Sequence, residues 1–446
     1  DASVTSRLST EEVTRASADT SITTRLSTEE AARASGDLTR TSVDLATAIV
    51  MAGEFGVNLD FTRSQYLVTG SRAATVATIP GVSVTRASSG YAETNEGTLV
   101  SFGPGVARQT NKGLLVEEAR TNLLLRSQEF DNASWSKVNG TATADEPAAP
   151  DGTTTADKFT PNATLAQHRV EQISTIAAAP HTLSVYAKAA GYNWVWLRIG
   201  TIGAIFNLST GAITNIAGGV TATAVQMGNG WWRCSVTCTA AGSDTLRINV
   251  GADATGADFS GAGTSGVYLW GAQLEAASTP SSYIPTTTAS ATRAADVISV
   301  GSLSLAYPLS ISTQFFRQID KATDEFLAQV DAGASTDRVV LQINSVDRLE
   351  ASMTSGGAGQ GASTPVFSVP TGAVSKGAAR YATNSIMACI SGTLGTEDTT
   401  ATVPATPSNL RVGSNQSGQG QPMGYLQRLI IYPRALTNAE LQAVTS

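Results

Sequence analysis

Four aromatic residues in the middle of the chain have the side chains and the spacing that stacking on sugar rings requires. Trp194 and Trp196 lie two residues apart, so they share one face of a predicted strand, and Tyr192 is in phase with them. Trp231 and Trp232 are adjacent and therefore point to opposite faces. Sugars stack their C–H faces on flat rings, while amide and carboxyl groups bind the hydroxyls. Tyr192, Trp194, Trp196 and Trp231 are thus candidate glycan-binding residues, although a tryptophan in a sandwich strand is more often core and that alternative stays open for each.

Polar residues in two glycine-rich loops near the C-terminus form a second candidate set. Residues 355–364 and 413–420 combine glycine with Ser, Asn and Gln, and such loops carry binding residues when a rigid scaffold holds them. Asn415 and Gln416 have amide groups that can bind sugar hydroxyls. We therefore add Asn415 and Gln416 to the glycan-binding candidates.

Patterns typical of catalysis are scarce. Gly261, Gly263 and Gly266 match GxGxxG, but this segment precedes a strand instead of opening a helix, so the dinucleotide reading fails. Glu117 and Glu118 are adjacent and point to opposite faces of a strand, whereas glycosidase carboxylates converge on one bond across about 5–9.5 Å. One of the two is expected to bind Arg120 or a turn. We predict no catalytic residues and no enzyme, with carboxylates far apart in sequence as the open alternative.

The composition narrows the range of partners. The formal net charge is −7 and the sequence contains no basic run, so it lacks the clustered Lys and Arg that bind phosphates, and we predict no nucleic-acid partner. No apolar run approaches 18 residues, which predicts no membrane insertion. With only two histidines and no Cys-x-x-Cys pair, we predict no bound metal and no cofactor.

The elements that would position the aromatic residues read as strands. Apolar and polar residues alternate at 182–188, 194–199, 232–239 and 266–274, each run bounded by Gly, Asn or Pro. This pattern predicts a jelly-roll sandwich over 123–298. Similar strands follow from 309 to 353 and predict a second β-sandwich over 299–446. Residues 56–122 contain short apolar runs between turns and read as a β-rich connector.

The first 55 residues have a different pattern. An 18-residue unit occurs twice, at 7–24 and 25–42, and 18 residues make five turns at about 3.6 residues per turn. Leu8 and Leu26 therefore lie on one helix face, in a narrow apolar seam flanked by Glu and Arg. The seam is too thin for an isolated chain, so residues 1–55 are predicted to form a trimeric coiled-coil stalk; a solvated helix or a disordered tail is the alternative. The predicted fold is mainly β, with this stalk followed by tandem antiparallel β-sandwich domains.

Several motifs occur in an order that resembles a known family. TRAS (85–88), GLLVEE-x-RTN (113–122) and EFDNASW (129–135) are followed by GNGWWRCSVT (228–237) and GVYLWGAQLE (266–275). This series resembles a module of bacteriophage and phage-like tail-fibre, tail-tip and head-spike proteins, with a carbohydrate-module-like jelly roll. Residues 408–446 resemble the closing strands and short helix of laminin-G-like and concanavalin A-like sandwiches, with Tyr432, Arg434, Ala435 and Leu436 in the recurring motif.

The resemblance implies a function as well as a fold. It implies a virion fibre, spike or tail-tip protein, made in the bacterial cytoplasm and exposed on the particle, that adsorbs to host-surface polysaccharide. Its partners would be two further copies of itself, other virion proteins at the N-terminal end and the host glycan. Two alternatives remain: a purely structural spike, collar or decoration protein that binds nothing, and a tailspike that degrades glycan.

Overall fold

The computed structural model describes residues 56–446, apart from the side chains of residues 240–243. The predicted stalk, residues 1–55, lies outside the described residues. Within them every pair of named strands is antiparallel, and the strands form two large sandwiches. The prediction of a mainly β chain built from antiparallel sandwiches is confirmed.

The N-terminal part of the described chain consists of short strands separated by turns. These strands are β1 (Val57–Asp60), β2 (Gln65–Val68), β3 (Ser71–Ala73), β4 (Val82–Thr85), β5 (Gly90–Glu93), β6 (Leu99–Phe102), β7 (Gln109–Thr110), β8 (Gly113–Val116) and β9 (Arg120–Asn122). A 3₁₀ turn at Val76–Thr78 precedes β4.

The middle of the chain forms the first sandwich. Its strands are β10 (Ser136–Val138), β11 (Gly140–Thr143), β12 (Asp157–Pro161), β13 (His168–Ala190), β14 (Trp194–Ile199), β15 (Ile202–Asn207), β16 (Ile213–Thr214), β17 (Thr221–Gln226), β18 (Trp232–Gly251) and β19 (Gly266–Glu275). A 3₁₀ turn at Gly228–Gly230 lies between β17 and β18.

The C-terminal part supplies most of the second sandwich. Its elements are β20 (Ala291–Arg293), β21 (Val297–Val300), β22 (Leu309–Arg317), β23 (Glu325–Asp331), β24 (Arg338–Ile343), β25 (Leu349–Ser355), β26 (Ala358–Ser363), β27 (Val374–Ala382), β28 (Ser385–Ile390), β29 (Thr393–Leu394), β30 (Asn409–Val412), β31 (Gly424–Tyr432) and helix α1 (Asn438–Thr445). Thr437 and Glu440 form the capping box that the sequence predicts at the start of α1. Of the helices described, none is long and apolar enough to cross a membrane.

The first sandwich is one continuous ten-stranded sheet that folds over on itself. Its order is β11-β12-β19-β13-β18-β14-β15-β16, with β10 beside β13 and β17 beside β18. β13 and β18 pair along nearly their whole length, and the register shifts between Ile176 and Ala179. An irregularity of this kind bends a strand. Residues on both sides of it, such as Val170 and Leu183, lie in one buried cluster, so the two halves of the sheet face each other.

The two halves of the sheet differ in their outer faces. The Trp194 layer contains β10, β14, β15, β16, the first half of β13 and the second half of β18. The Trp270 layer contains β11, β12, β17, β19 and the remaining halves of β13 and β18. Val195 and Ile248 from the Trp194 layer meet Val236 and Leu269 from the Trp270 layer in the core between them.

The second sandwich has two separate sheets. One is ten-stranded, in the order β29-β28-β27-β22-β31-β1-β2-β3, with β8 and β7 attached to β31; the other is seven-stranded, in the order β26-β25-β24-β23-β30-β21-β4. Leu309 and Ile431 of the first sheet pack with Leu327 and Leu410 of the second. The core is therefore shared by residues far apart in sequence.

Residues 56–122, read from the sequence as a connector, contribute strands to this second sandwich. β1 pairs with β31, β8 also pairs with β31, and β4 pairs with β21. The physical reason is burial: Val57, Leu59 and Leu114 complete the core that Leu309 and Ile431 begin. Two small ladders remain, the hairpin β5–β6 and the pair β9–β20.

Candidate functional site

A row of three side chains from β14 stands on the outer face of the Trp194 layer. Trp194, Trp196 and Arg198 are partly exposed, whereas the intervening Val195 and Leu197 are fully buried in the core. Alternation of this kind follows from the two-residue period of a strand. The prediction that Trp194 and Trp196 share one face is confirmed.

The neighbouring strand β18 completes this face. Its register with β14 sets Gly251 opposite Trp194, Asn249 opposite Trp196 and Arg247 opposite Arg198. Side chains directly opposite each other in an antiparallel pair point the same way, with Cβ atoms about 5 Å apart. Asn249 is therefore the polar neighbour of Trp196, and the glycine leaves the space beside Trp194 without a side chain.

Arginine residues give this face a local positive charge. The Arg198 guanidinium lies 4.2 Å from the centre of the Trp196 ring, a cation–π distance. Arg169 and Arg247 share one carboxylate, with their Nε atoms 2.7 and 3.2 Å from Oε2 of Glu171. Burial, and then the charges of Arg247 and Arg169, lower the pKa of Arg198. Three cations beside one anion favour an electron-rich ligand.

Three buried polar atoms on this face lack a hydrogen-bond partner within residues 56–446. They are Nε1 of Trp196, Nε of Arg198 and Oδ1 of Asn249. Other atoms of the same side chains are engaged, because Oε1 of Gln167 accepts from Asn249 Nδ2 at 3.2 Å and from Arg198 Nη1 at 3.4 Å. Leaving a buried polar atom unpaired costs about 1–3 kcal/mol. Of the three side chains, Trp196 and Arg198 are partly exposed, so the accessible part of this face combines indole rings with a guanidinium group. We name Trp194, Trp196, Arg198 and Asn249 the Trp194 site.

Tyr192 is near this site but has another role. It lies just before β14 and packs against the core cluster, with its ring 5.1 Å from that of Phe259. Its hydroxyl accepts from the backbone N–H of Ala262 at 3.2 Å. Both contacts hold the segment between β18 and β19, so Tyr192 positions a loop.

Trp231 has to be removed from the glycan-facing set. It is fully buried among Tyr186, Trp270 and Tyr283, and its Nε1 donates to the backbone oxygen of Ala148 at 3.2 Å. The chain leaves the 3₁₀ turn at Gly228–Gly230 at this residue, which directs the indole into a second buried cluster. The core alternative, left open from the sequence, is the one that the structure shows for Trp231.

Asn415 and Gln416 lie on the second sandwich and are occupied by internal contacts. Oδ1 of Asn415 accepts from the backbone N–H groups of Ser417 and Gln419, at 2.9 and 3.0 Å. Oε1 of Gln416 accepts from Gln329 Nε2 at 2.8 Å and from Arg338 at 3.2 Å. The six predicted residues therefore do not form one site.

Glu117 and Glu118 form ion pairs with basic side chains of the fold. Glu118 binds Arg120 and Lys321, each at 2.6 Å, so the prediction that one of the pair binds Arg120 is confirmed. Glu117 is buried and binds Arg108 at 2.7 Å and the Ser282 hydroxyl at 2.6 Å. Burial alone would raise the pKa of Glu117, but the charges of Arg293 and Arg108 prevail and lower it to about 2.

Arg86, Arg108 and Arg293 surround two buried carboxylates, those of Glu117 and Asp296. We call these five residues the ion cluster. The motifs that carry the sequence resemblance supply two of its members, since Arg86 belongs to TRAS and Glu117 to GLLVEE. Within residues 56–446, no group of three or more His, Cys, Asp or Glu side chains is arranged to hold a metal ion.

Sequence reasoning missed two members of the Trp194 site. Arg198 continues the alternation of Trp194 and Trp196 and was available from the spacing alone. Asn249 was not, because its position depends on the register between β14 and β18. Fold and site together define a protein with two antiparallel β-sandwiches and an aromatic, polar patch on one sheet face.

Comparison with known proteins leaves the family undetermined. No protein-family model matches the chain, and no curated protein matches it in sequence. Among solved structures, the CBM40 of Ruminococcus gnavus IT-sialidase bound to α2,3-sialyllactose is 14% identical, with a TM-score of 0.28, over 32% of this chain and 85% of that one.

Two further solved structures are similar at the same level. Domain 4 of AbnA, a GH43 extracellular arabinanase from Geobacillus stearothermophilus, is 15% identical over 38% of this chain and 82% of that chain, with a TM-score of 0.28. Trypanosoma rangeli sialidase is 9% identical over 65% of this chain and 60% of its own, with a TM-score of 0.25. TM-scores this far below 0.5 establish neither a common fold nor a common function.

Proposed function

We propose that the chain is a carbohydrate-binding fibre, spike or tail-tip protein of a bacteriophage or phage-like virion. It binds host-surface polysaccharide at the Trp194 site. The observation that carries the binding proposal is the row of the partly exposed Trp194, Trp196 and Arg198 on an outer sheet face. Stacking on the exposed parts of the rings supplies the apolar contact, and the partly exposed Arg198 guanidinium supplies hydrogen bonds to hydroxyls.

The virion location and the trimer belong to the same proposal and have separate support. The location is supported by the order of the TRAS, GLLVEE and EFDNASW motifs, and the trimer by the 18-residue repeat. A coiled-coil stalk would hold three copies of the jelly roll together. Weak single sites then bind a polymeric glycan more tightly, because later contacts form at high effective concentration.

Glycan binding is tested with the full chain on an array of bacterial surface polysaccharides. Wild type should bind at least one polysaccharide, and Trp194→Ala and Arg198→Ala should each weaken that binding about tenfold or more. Phe367→Ala is the matched control, because Phe367 is an exposed aromatic residue on the second sandwich, at 38% exposure. Binding by wild type to no polysaccharide would overturn the proposal in favour of a structural spike.

Two further measurements test the rest. Sedimentation of the full chain should give three times 45.9 kDa, and a monomer would refute the stalk. Antibody labelling of intact particles should locate the protein on the tail or head surface. The protein should leave the length of the bound polysaccharide unchanged on a gel, and a shortened ladder would support the glycan-degrading alternative.

A further inference from the structure

The outer face of the Trp194 layer carries more positive than negative charge. At the outward positions of its described strands, the charged residues are Arg198 of β14, Arg247 of β18, and Arg169 and Glu171 of β13. The register places Arg198 opposite Arg247, and Arg247 opposite Glu171. Three cations thus share this face with one anion, which leaves an excess of positive charge.

Arg198 is the arginine that Glu171 does not neutralise. The Nε atoms of Arg169 and Arg247 lie 2.7 and 3.2 Å from the same carboxylate oxygen, Oε2 of Glu171. Within residues 56–446 no carboxylate pairs with Arg198, whose contacts are the Trp196 ring at 4.2 Å and a side-chain amide oxygen at 3.4 Å. Burial and then the charges of Arg247 and Arg169 lower the pKa of Arg198, and only Glu171 opposes them. Like charges directly opposite each other destabilise a sheet, so a bound anion would relieve a repulsion on this face.

These guanidinium groups have nitrogen atoms that a ligand can reach. The side chains of Arg169 and Arg247 are 22% and 23% exposed, and Arg198 is also partly exposed. Among their nitrogens, the one that is both buried and without a hydrogen-bond partner in residues 56–446 is Nε of Arg198. The Nη2 atoms of Arg198 and Arg247 also have no partner in this part of the chain, so they are open to solvent. Each can therefore donate hydrogen bonds to a ligand above the sheet.

The indole rings and the guanidinium group of β14 lie along one line. Trp194, Trp196 and Arg198 follow one another at intervals of two residues, about 7 Å along the strand. A polymer lying along β14 would meet two indole rings and then a guanidinium group. A guanidinium binds a carboxylate through two parallel hydrogen bonds, each roughly twice as strong as a bond between neutral groups. A hexuronic acid carries its carboxylate on the sugar ring, so one residue can contact both an indole ring and Arg198.

We propose that the Trp194 site selects acidic polysaccharides, and that Arg198 Nη2 donates to the carboxylate of a hexuronic acid residue. The neighbouring Arg169 and Arg247 strengthen the attraction through their charge, and other residues of the polymer stack on Trp194. The inference rests on the proposed glycan-binding function and adds the class of sugar that is bound.

The test compares three sugars on the full chain by NMR titration: methyl glucuronide, its uncharged amide and methyl glucoside. The glucuronide should bind about tenfold more tightly than the other two, because it alone carries a carboxylate. The amide is the matched control, since it keeps the shape of the acid and loses the charge. Raising the NaCl concentration from about 0.05 M to about 0.5 M should reduce this preference. Equal binding of the three sugars, no binding of the glucuronide, or tighter binding of methyl glucoside 6-phosphate would overturn the proposal.

Charge-changing variants test which residues bind the carboxylate. In Arg198→Gln the ratio of glucuronide affinity to glucoside affinity should fall to about 1. Arg72→Gln is the matched control and should keep the wild-type ratio, because it removes an exposed arginine of β3 on the second sandwich. Glu171→Gln removes the anion that competes for Arg169 and Arg247, so it should raise glucuronide affinity about twofold or more, a gain that misfolding cannot produce. A wild-type ratio in Arg198→Gln, or no gain in Glu171→Gln, would overturn the assignment.

Failure of the proposed function gives a different result. Wild type that binds methyl glucuronide but no polysaccharide on the array would overturn the polysaccharide-binding proposal and leave the selectivity of the Trp194 site in place. Wild type that binds neutral polysaccharides as tightly as acidic ones would overturn the selectivity alone.

Discussion

The two layers of the first sandwich carry aromatic side chains on both outer faces, but these faces differ in their surroundings. On the Trp270 layer, Tyr186 and Trp270 are fully buried in a cluster that also contains Trp231. On the Trp194 layer, Trp194 and Trp196 remain partly exposed. The difference shows that a covered aromatic row becomes core, whereas an open one stays available to a ligand.

The cover of the Trp270 layer comes from a distant part of the sequence. Tyr91 of hairpin β5–β6 lies 5.4 Å from Tyr283 and 6.4 Å from Trp270, measured between ring centres. The ion cluster fixes this hairpin, because Arg108 donates to the backbone oxygen of Tyr91 at 2.8 Å and Arg86 to that of Gly103 at 2.7 Å. The TRAS and GLLVEE motifs thus have a structural role: they hold the cover.

The largest expected effect is that of Trp231→Ala in the covered cluster. Truncating a fully buried tryptophan removes its apolar contacts and leaves a cavity, so the free energy of unfolding should fall by about 3–5 kcal/mol. Urea denaturation followed by fluorescence measures this. A loss below about 1 kcal/mol would show that the covered cluster is not core and would end the contrast between the two faces.

A comparable loss is expected when the cover is released by Asp296→Asn. The substitution leaves Arg86 and Arg108 without their shared carboxylate. Removing one partner of a buried ion pair lowers the free energy of unfolding by about 3 kcal/mol or more. Hydrogen exchange should increase in hairpin β5–β6 more than in β14. Asp253→Asn is the control, because Asp253 is an exposed loop carboxylate. If Asp296→Asn increased hydrogen exchange equally in hairpin β5–β6 and in β14, the ion cluster would not be what holds the cover in place.

How much of this contrast the sequence predicts depends on the range of the contacts. The alternation that makes Trp194 and Trp196 neighbours is local, so it was readable, as was the capping box at Thr437. The burial of Trp231 depends on a hairpin more than 100 residues away, and Asn249 reaches Trp196 only through the register of β18 with β14. The pairing of β1 with β31 spans nearly the whole described chain, so 56–122 looked like a connector.

As the pH falls, the cover of the Trp270 layer should lose stability before the Trp194 layer does. Glu117 has a pKa of about 2 in the folded chain, against 4.5 as its ordinary value. A carboxylate whose pKa is lower in the folded chain stabilises the fold at pH values above its ordinary pKa, and this stabilisation is lost as the pH falls. For Glu117 the free energy of unfolding should decrease by about 2 kcal/mol between pH 7 and pH 3.

Asp157 acts in the opposite direction. Burial raises its pKa to about 6, so stability should increase as the pH falls from about 6 toward 4. Urea denaturation from pH 7 to pH 3 should therefore show a maximum near pH 4, and Asp157→Asn should remove the rising part. In Asp157→Asn, a profile that stays flat from pH 5 to pH 3 would contradict the role of Glu117.

The smallest effect on stability, and the sharpest test of the comparison, is expected for Trp194→Ala. Trp194 is partly exposed on an uncovered face, opposite Gly251, so its truncation should lower the free energy of unfolding by about 1 kcal/mol or less. The affinity of Trp194→Ala for polysaccharide should fall about tenfold or more. Trp231→Ala, measured under conditions in which it remains folded, should keep the affinity of wild type. One variant would then lose binding with little loss of stability, and the other would lose stability without losing binding. This result is expected if one face is core and the other is a ligand surface. A Trp194→Ala variant that is as unstable as Trp231→Ala would mean that the Trp194 layer is covered as well, and the proposed binding face would then have to lie elsewhere on the protein.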